Sequence, residues 1–193
     1  IQVTIHSPGV PLKKNSEAEI ASRLCFERKI KMADIDKTLE KSELIVDALI
    51  GTGLSREVEG NHFEVIGKVN ESNTPILAID VPSGLCSDTG RKRGACVRAD
   101  VTITYIGEKV GLYTGDGPAY SGEVIFDNLR VPENIYSKTK YAATVLEFKS
   151  QKLKVPPRKI NSHKGLHGHA LIVGGDEGMG GAAIMAAEAA LYS

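Results

Sequence analysis

The chain has 193 residues, 41% hydrophobic and 25% charged, which suffices for one sizeable core or for one domain and part of another. Lys and Arg number 24, as do Asp and Glu, so a net charge of +0 gives no bulk attraction to nucleic acid or to an anionic membrane. No apolar run reaches the ~18 residues of a membrane-spanning helix, and the opening residues do not read as a secretory signal.

Ile1–Ile5 alternates in polarity and reads as a strand, followed by a loop with strong breakers at His6-Ser-Pro-Gly-Val-Pro11. Ser16 with Glu19 forms a capping box. Ile20, Ala21, Leu24 and Cys25 repeat at helical spacing, so a helix is expected near 16–28, with a short polar helix over 34–42. Leu44–Ile50 reads as a strand. A helix over 61–72 follows, with Phe63, Ile66 and Val69 on one face. Pro75–Ile79, Val101–Tyr105 and Gly122–Phe126 read as further strands, and Gly115 and Gly117 as a turn. The β-α-β-α-β order with helix-sized connections predicts an α/β fold, a Rossmann-like parallel sheet with helices on both faces.

Composition changes near residue 132, where Lys, Ser and Pro accumulate. Tyr141–Phe148 reads as a strand and Pro156-Pro157-Arg158 as a linker. A new unit then begins: a strand at His169–Val173, a glycine-rich turn over 174–181 and an alanine-dense helix over 182–191. The start at Ile1 rather than Met, and an end inside a helical pattern, suggest a piece of a longer chain. Cys25, Cys86 and Cys96 show no CxxC spacing and read as plain thiols of a reducing cytoplasm.

Chemistry concentrates where two apolar runs end in an acid and break at glycine or proline: Asp47-Ala-Leu-Ile-Gly51-Thr-Gly53 and Leu77-Ala-Ile-Asp80-Val-Pro82-Ser83-Gly84. Residues just beyond parallel strands lie at the carboxyl edge, where open α/β sheets bind ligands. Two such edges suggest one polar crevice. Gly51 and Gly53 suit a loop that approaches a ligand closely, and Arg56 suits a phosphate. Neither GxGxxG nor GxxxxGK is present. A carboxylate inside a strand, as at Asp47, needs a hydrogen-bonding partner, an arginine or a cation held by hard oxygens. Asp80 sits on a rigid mount before Val81-Pro82, which suits acid–base work but equally the capping of a turn. Ser83 reads as a cap or a ligand rather than a nucleophile, since no GxSxG elbow surrounds it. Lys109 lies just past a strand end, where a lysine binds phosphate, aids catalysis or is simply solvated.

Together these residues resemble the YjeF N-terminal domain, the NAD(P)H-hydrate epimerase family. The resemblance runs through Asp47-Ala-Leu-x-Gly51-Thr-Gly53-Leu54-x-Arg56, Ala78-Ile-Asp80-x-Pro82-Ser83-Gly84, Asp88-Thr-Gly90, Ala99-Asp100-x-Thr-Ile-Thr and Lys109-x-Gly111-Leu. It covers residues 1–133, with 134–158 as linker. Residues 159–193 resemble the start of the ADP/ATP-dependent NAD(P)H-hydrate dehydratase, of ribokinase-like α/β fold, through Ser162-His163-Lys164-Gly165 and Val173-Gly174-Gly175-x-x-Gly178-Met179. Epimerase then dehydratase is the order of bifunctional members.

The resemblance implies repair of NADHX and NADPHX, the hydrated nicotinamide cofactors. One unit would epimerise the R and S forms. The other would dehydrate the S form at the expense of ADP or ATP. It further implies a potassium ion at Asp47 and Ser83, and substrate contacts from Gly51, Thr52, Gly53, Leu54, Ser55, Arg56, Glu57 and Asp80. Asp80 is the expected proton-transfer group, with Lys109 as electrostatic helper. A homo-oligomer in the cytoplasm is expected, with no nucleic-acid or membrane partner. The family's Asn- and Gly-rich loop, a further potassium ligand, is not among these residues, and neither are the dehydratase nucleotide motifs. The 193 residues alone are therefore not expected to dehydrate. Without that loop, which would also form part of the substrate site, they are a doubtful epimerase, whereas the parent protein is expected to do both. Two other classes fit less well: a non-catalytic YjeF-type scaffold, and another Rossmann-type nucleotide enzyme.

Overall fold

A computed structural model describes residues 2–9, 14–146, 159–166 and 169–192. The chain divides into two compact units, Ile1–Thr144 and Val145–Ser193. In the first, β1 (Thr4–Ile5) pairs in parallel with β2 (Lys31–Met32). A separate parallel sheet has the order β3 (Ile45–Asp47), β4 (Ile76–Ile79), β5 (Val101–Tyr105), β6 (Glu123–Asp127). The helices are α1 (Glu17–Glu27), α2 (Gly60–Glu71) and the single turns α3 (Gly117–Tyr120) and α4 (Glu133–Tyr136). The fold is thus mixed α/β with a parallel sheet, as the β-α-β order requires.

The register puts Asp47 opposite Ala78, so Asp80 begins two residues beyond the neighbouring strand position. Both acids therefore stand at adjoining ends of one sheet edge. Val65, Ile66 and Val69 of α2 pack with Ile76 and Ala78 of β4 and with Val58, Val97 and Ala99. A second cluster joins Val81, Leu85, Cys96 and Leu112. These two cores fix the exits of β4 on both sides of Pro82. The Gly84 turn is equally constrained: its φ is +97°, and a Cβ there would lie 1.9 Å from the Ala95 carbonyl oxygen.

Several expectations need correction. Ser16 caps α1 through the Glu19 N–H at 3.2 Å, but the Glu19 carboxylate accepts from the Asn15 N–H, one residue earlier than in a capping box. No residue of α1 is buried, so its apolar stripe lies uncovered among the described residues. The polar segment 34–42 forms two 3₁₀ turns, Ile35–Lys37 and Leu39–Lys41. Phe63 is 52% exposed while Val65 takes its place in the core. In edge strand β3, Val46 is exposed, so that strand is not buried on both faces.

In the second unit, α5 (Gly181–Leu191) forms as expected. His169–Val173 is not a strand. A strand exists through its ladder, and no strand among the described residues of this unit offers one. Residues 141–146 likewise carry no strand, and 147–148 lie outside the described residues, as do the linker residues Pro156–Arg158. Among the described residues no helix is long and apolar enough to cross a membrane.

Candidate functional site

Asp47 ends β3 and is 3% exposed. Its Oδ1 accepts the Ser83 hydroxyl at 2.6 Å and the Leu49 N–H at 3.3 Å; its Oδ2 accepts the Ser83 N–H at 2.8 Å. The Ser83 hydroxyl oxygen also accepts from the Ile50 N–H at 2.9 Å. One serine thus clips the end of β3 to the turn after β4. Burial raises the Asp47 pKa above the ordinary carboxylate value, and the Ser83 and Leu49 hydrogen bonds oppose the rise. The nearby Cys96 thiol is pushed up to about 12, first by burial and then by the Asp47 charge. Ser83 is fully buried and committed to this clip, which supports the reading against a nucleophile.

Asp80 has a left-handed backbone, φ 70°, and the Val81 N–H closes a three-residue turn on the Ile79 carbonyl at 2.9 Å. Such turns are uncommon, but aspartate tolerates them better than most residues. The turn aims the carboxylate at the end of β5. There Asp80 Oδ1 accepts from the Tyr105 N–H at 3.1 Å, the Thr104 hydroxyl at 3.2 Å and the Lys109 ammonium. Lys109 also donates to Thr104 Oγ1 at 3.1 Å and to the Tyr105 carbonyl at 2.8 Å. All three ammonium protons are therefore engaged. The Lys109 side chain is 17% exposed and that of Asp80 26%, so Lys109 is a paired, half-buried lysine and not a solvated one. Asp80 Oδ2 makes no hydrogen bond among the described residues.

An open cleft of about 490 Å³ lies over this pair, lined by Thr52, Asp80, Tyr105, Ile106, Gly107, Lys109 and Leu129. A second, of about 530 Å³, is formed by Ile50, Gly53–Gly60 and His62. The loop after β3 serves both, with Thr52 in the first and Leu54, Ser55, Arg56 and Glu57 in the second. Glu57 reaches Arg93 at 3.9 Å, and Arg56 has no ion pair among the described residues. Gly51 and Gly53 are exposed, neither has positive φ, and a Cβ on either would meet nothing among the described residues. Neither turn geometry nor internal packing demands glycine there. The single crevice expected from sequence is two clefts with the loop between them, and Asp47 lines neither.

Ile106, Leu129 and His62 were not singled out by the sequence, and Thr104 entered only as the last residue of the Ala99-Asp100-x-Thr-Ile-Thr run, with no role given to it. In Val-Thr-Ile-Thr-Tyr the two threonines alternate with larger residues, and the structure buries both of them, so polar atoms face inward. Among the described residues no group of three or more His, Cys, Asp or Glu is placed to hold a metal. Asp47 and Ser83 do offer hard oxygens, which suit an alkali or alkaline-earth cation in chemical kind. Asp47 Oδ2, with one donor, retains acceptor capacity.

Residues 4–111 match the family model described as YjeF-related protein N-terminus. The chain is 40% identical over 191 residues to a Bifunctional NAD(P)H-hydrate repair enzyme Nnr of Coxiella burnetii, covering 98% of this chain and 39% of that protein. It is 38% identical to the protein of the same name from Vibrio cholerae, with 100% and 39% covered. An NAD(P)H-hydrate epimerase of Limosilactobacillus fermentum is 40% identical over 123 residues, 64% of this chain and 59% of that one. The crystal structure of yeast ynu0 superposes with a TM-score of 0.56 at 16% identity, covering 73% of this chain and 63% of that one, which shows a shared fold. The chain thus spans about 39% of the length of these two bifunctional proteins.

Proposed function

Since the chain belongs to the family of YjeF-related protein N-termini, we propose that the protein it forms part of interconverts the R and S forms of hydrated NADH or NADPH. The observation that carries this reading is the Asp80–Lys109 pair under an open cleft, beside a loop whose glycines no contact among the described residues requires. The names of the relatives supply the substrate.

The hydrated ring carbon bears both a hydroxyl and the ring nitrogen. Such a carbon inverts when a base takes the hydroxyl proton, a carbonyl forms and the carbon–nitrogen bond breaks, its electron pair passing to nitrogen. Closure on the opposite face, with the proton returned, gives the other epimer. Asp80 performs this transfer through Oδ2, because Oδ1 is held by three donors. Lys109 and Thr104 fix the carboxylate and keep its orientation. The loop Gly51–Glu57 receives the phosphates on its N–H groups and on Arg56.

Asp47 and Ser83 would hold a potassium ion, whose charge would offset the burial of the Asp47 carboxylate. We further propose the division into an epimerase unit over 1–133, a linker over 134–158 and the start of a dehydratase over 159–193. The whole protein would then also dehydrate the S form with ADP or ATP, in line with the bifunctional relatives. The test is R-to-S conversion by the whole natural protein, followed chromatographically. Conversion well above the spontaneous rate is expected; conversion at the spontaneous rate overturns the proposal.

A further inference from the structure

Three residues lining the 490 Å³ cleft have left-handed backbones: Asp80 at φ 70°, Ile106 at 64° and Leu129 at 48°. Aspartate adopts this region at modest cost, but a β-branched isoleucine there is a genuine outlier. The Gly107 N–H donates to the Tyr105 carbonyl at 2.6 Å and closes a three-residue turn on Ile106, mirroring the one on Asp80 in the adjacent strand. Leu129 and Arg130, at 48° and 61°, are the middle of a tight turn closed by the Val131 N–H on the Asn128 carbonyl at 2.9 Å. Asn-Gly is the usual occupant of such a turn.

Glycine or asparagine would make both turns with less strain. The leucine and isoleucine do not serve the core either, being 54% and 51% exposed. A further contact holds the strained geometry. The Tyr136 hydroxyl, on α4, donates to the Ile106 carbonyl at 2.6 Å. Strain maintained at exposed apolar side chains beside an ion-paired acid points to a ligand rather than to packing.

We propose that Ile106 and Leu129 form the apolar wall on which the hydrated nicotinamide ring rests, presenting its hydroxyl edge to Asp80, and that Tyr136 is the positioning residue for that wall. This rests on the epimerase reading. The ring of the reduced, hydrated cofactor is uncharged and its faces are largely apolar, so it matches this wall. The phosphates match the loop on the other side of Thr52. The two halves of the dinucleotide are thereby recognised by separate surfaces.

The experiment compares the whole natural protein with Ile106→Asn, Leu129→Asn and the double variant. Asparagine keeps the left-handed backbone at lower cost and removes the apolar face. The double variant is expected to raise KM for the hydrate about tenfold, the loss of two partial apolar contacts. Its inhibition by reduced nicotinamide mononucleotide, whose ring is uncharged, should weaken in parallel, inhibition by ADP should not change, and its melting temperature should hold or rise. Tyr136→Phe should raise KM for the hydrate without altering ADP inhibition. Unchanged KM and mononucleotide inhibition would overturn the inference, as would equal weakening for both halves, or a lowered melting temperature with unchanged binding. If the parent does not turn over the hydrate, the epimerase reading fails on its own. Binding of reduced nicotinamide mononucleotide, measured calorimetrically on the same variants, then decides the wall separately.

Discussion

Replacing the serine of the strand clip (Ser83→Ala) removes a hydroxyl that donates to Asp47 at 2.6 Å and accepts from the Ile50 N–H at 2.9 Å. A hydrogen bond to a charged group contributes about 1.5–3 kcal/mol, and an orphaned buried donor costs about 1–3 kcal/mol. The Ile50 backbone is only half-buried, so water offsets part of the second effect. A total near 3 kcal/mol is expected, or roughly 6–12 °C in melting temperature for a chain of this size. The loss should also depend on pH. Folded Asp47 holds its proton more tightly than the unfolded chain does, so this carboxyl favours folding most below 3.8 and progressively less as pH rises through its raised folded value. Ser83 restrains that rise. Without it the folded value climbs further, and the deficit of Ser83→Ala is larger at neutral pH than below 3.8. Urea titrations followed by far-ultraviolet circular dichroism measure this, since the chain contains no tryptophan. A loss under about 1 kcal/mol at neutral pH, or one that shrinks as pH rises, would refute the assignment of Ser83 as the clip of a buried carboxylate.

Two glycine substitutions should separate structure from recognition. Gly84→Ala places a methyl 1.9 Å from the Ala95 carbonyl oxygen at φ +97°, and should cost at least about 4 kcal/mol, read as loss of cooperative unfolding or of soluble yield. Gly53→Ala meets only open space, so stability should change by less than about 0.5 kcal/mol while KM for the dinucleotide rises, as steady-state kinetics would show. If Gly53→Ala instead unfolds the chain and leaves KM alone, the loop is a structural turn.

The carboxyl edge was legible because its signals are local. Apolar runs ending at Asp47 and Asp80, with glycine or proline next, announce strand exits whatever the strands pair with. The parallel order followed from helix-sized connections. The site's second half was not local. Lys109 reads as a solvated lysine until β5 brings Thr104 and Tyr105 beside Asp80, across 29 residues of sequence. Ile106 and Leu129 drew no notice in the sequence, because backbone strain leaves no mark in side-chain pattern. The stripe of α1 and the apolar run at 169–173 predicted burial and a strand that the described residues do not show. Both outcomes depend on a partner surface, which periodicity cannot supply. The two residues of β2 were too short to register as any pattern.

In the proposed reaction the Asp80 carboxylate moves a proton at the hydrated ring. Its direct measurement is the rate of R-to-S interconversion in the whole protein with Asp80→Asn, at saturating substrate and with folding verified by circular dichroism. The amide keeps the shape and an acceptor oxygen for Lys109 but cannot take up a proton. A fall in kcat of about 10²–10⁴-fold with the fold intact is the expected result. An undiminished rate would contradict the account.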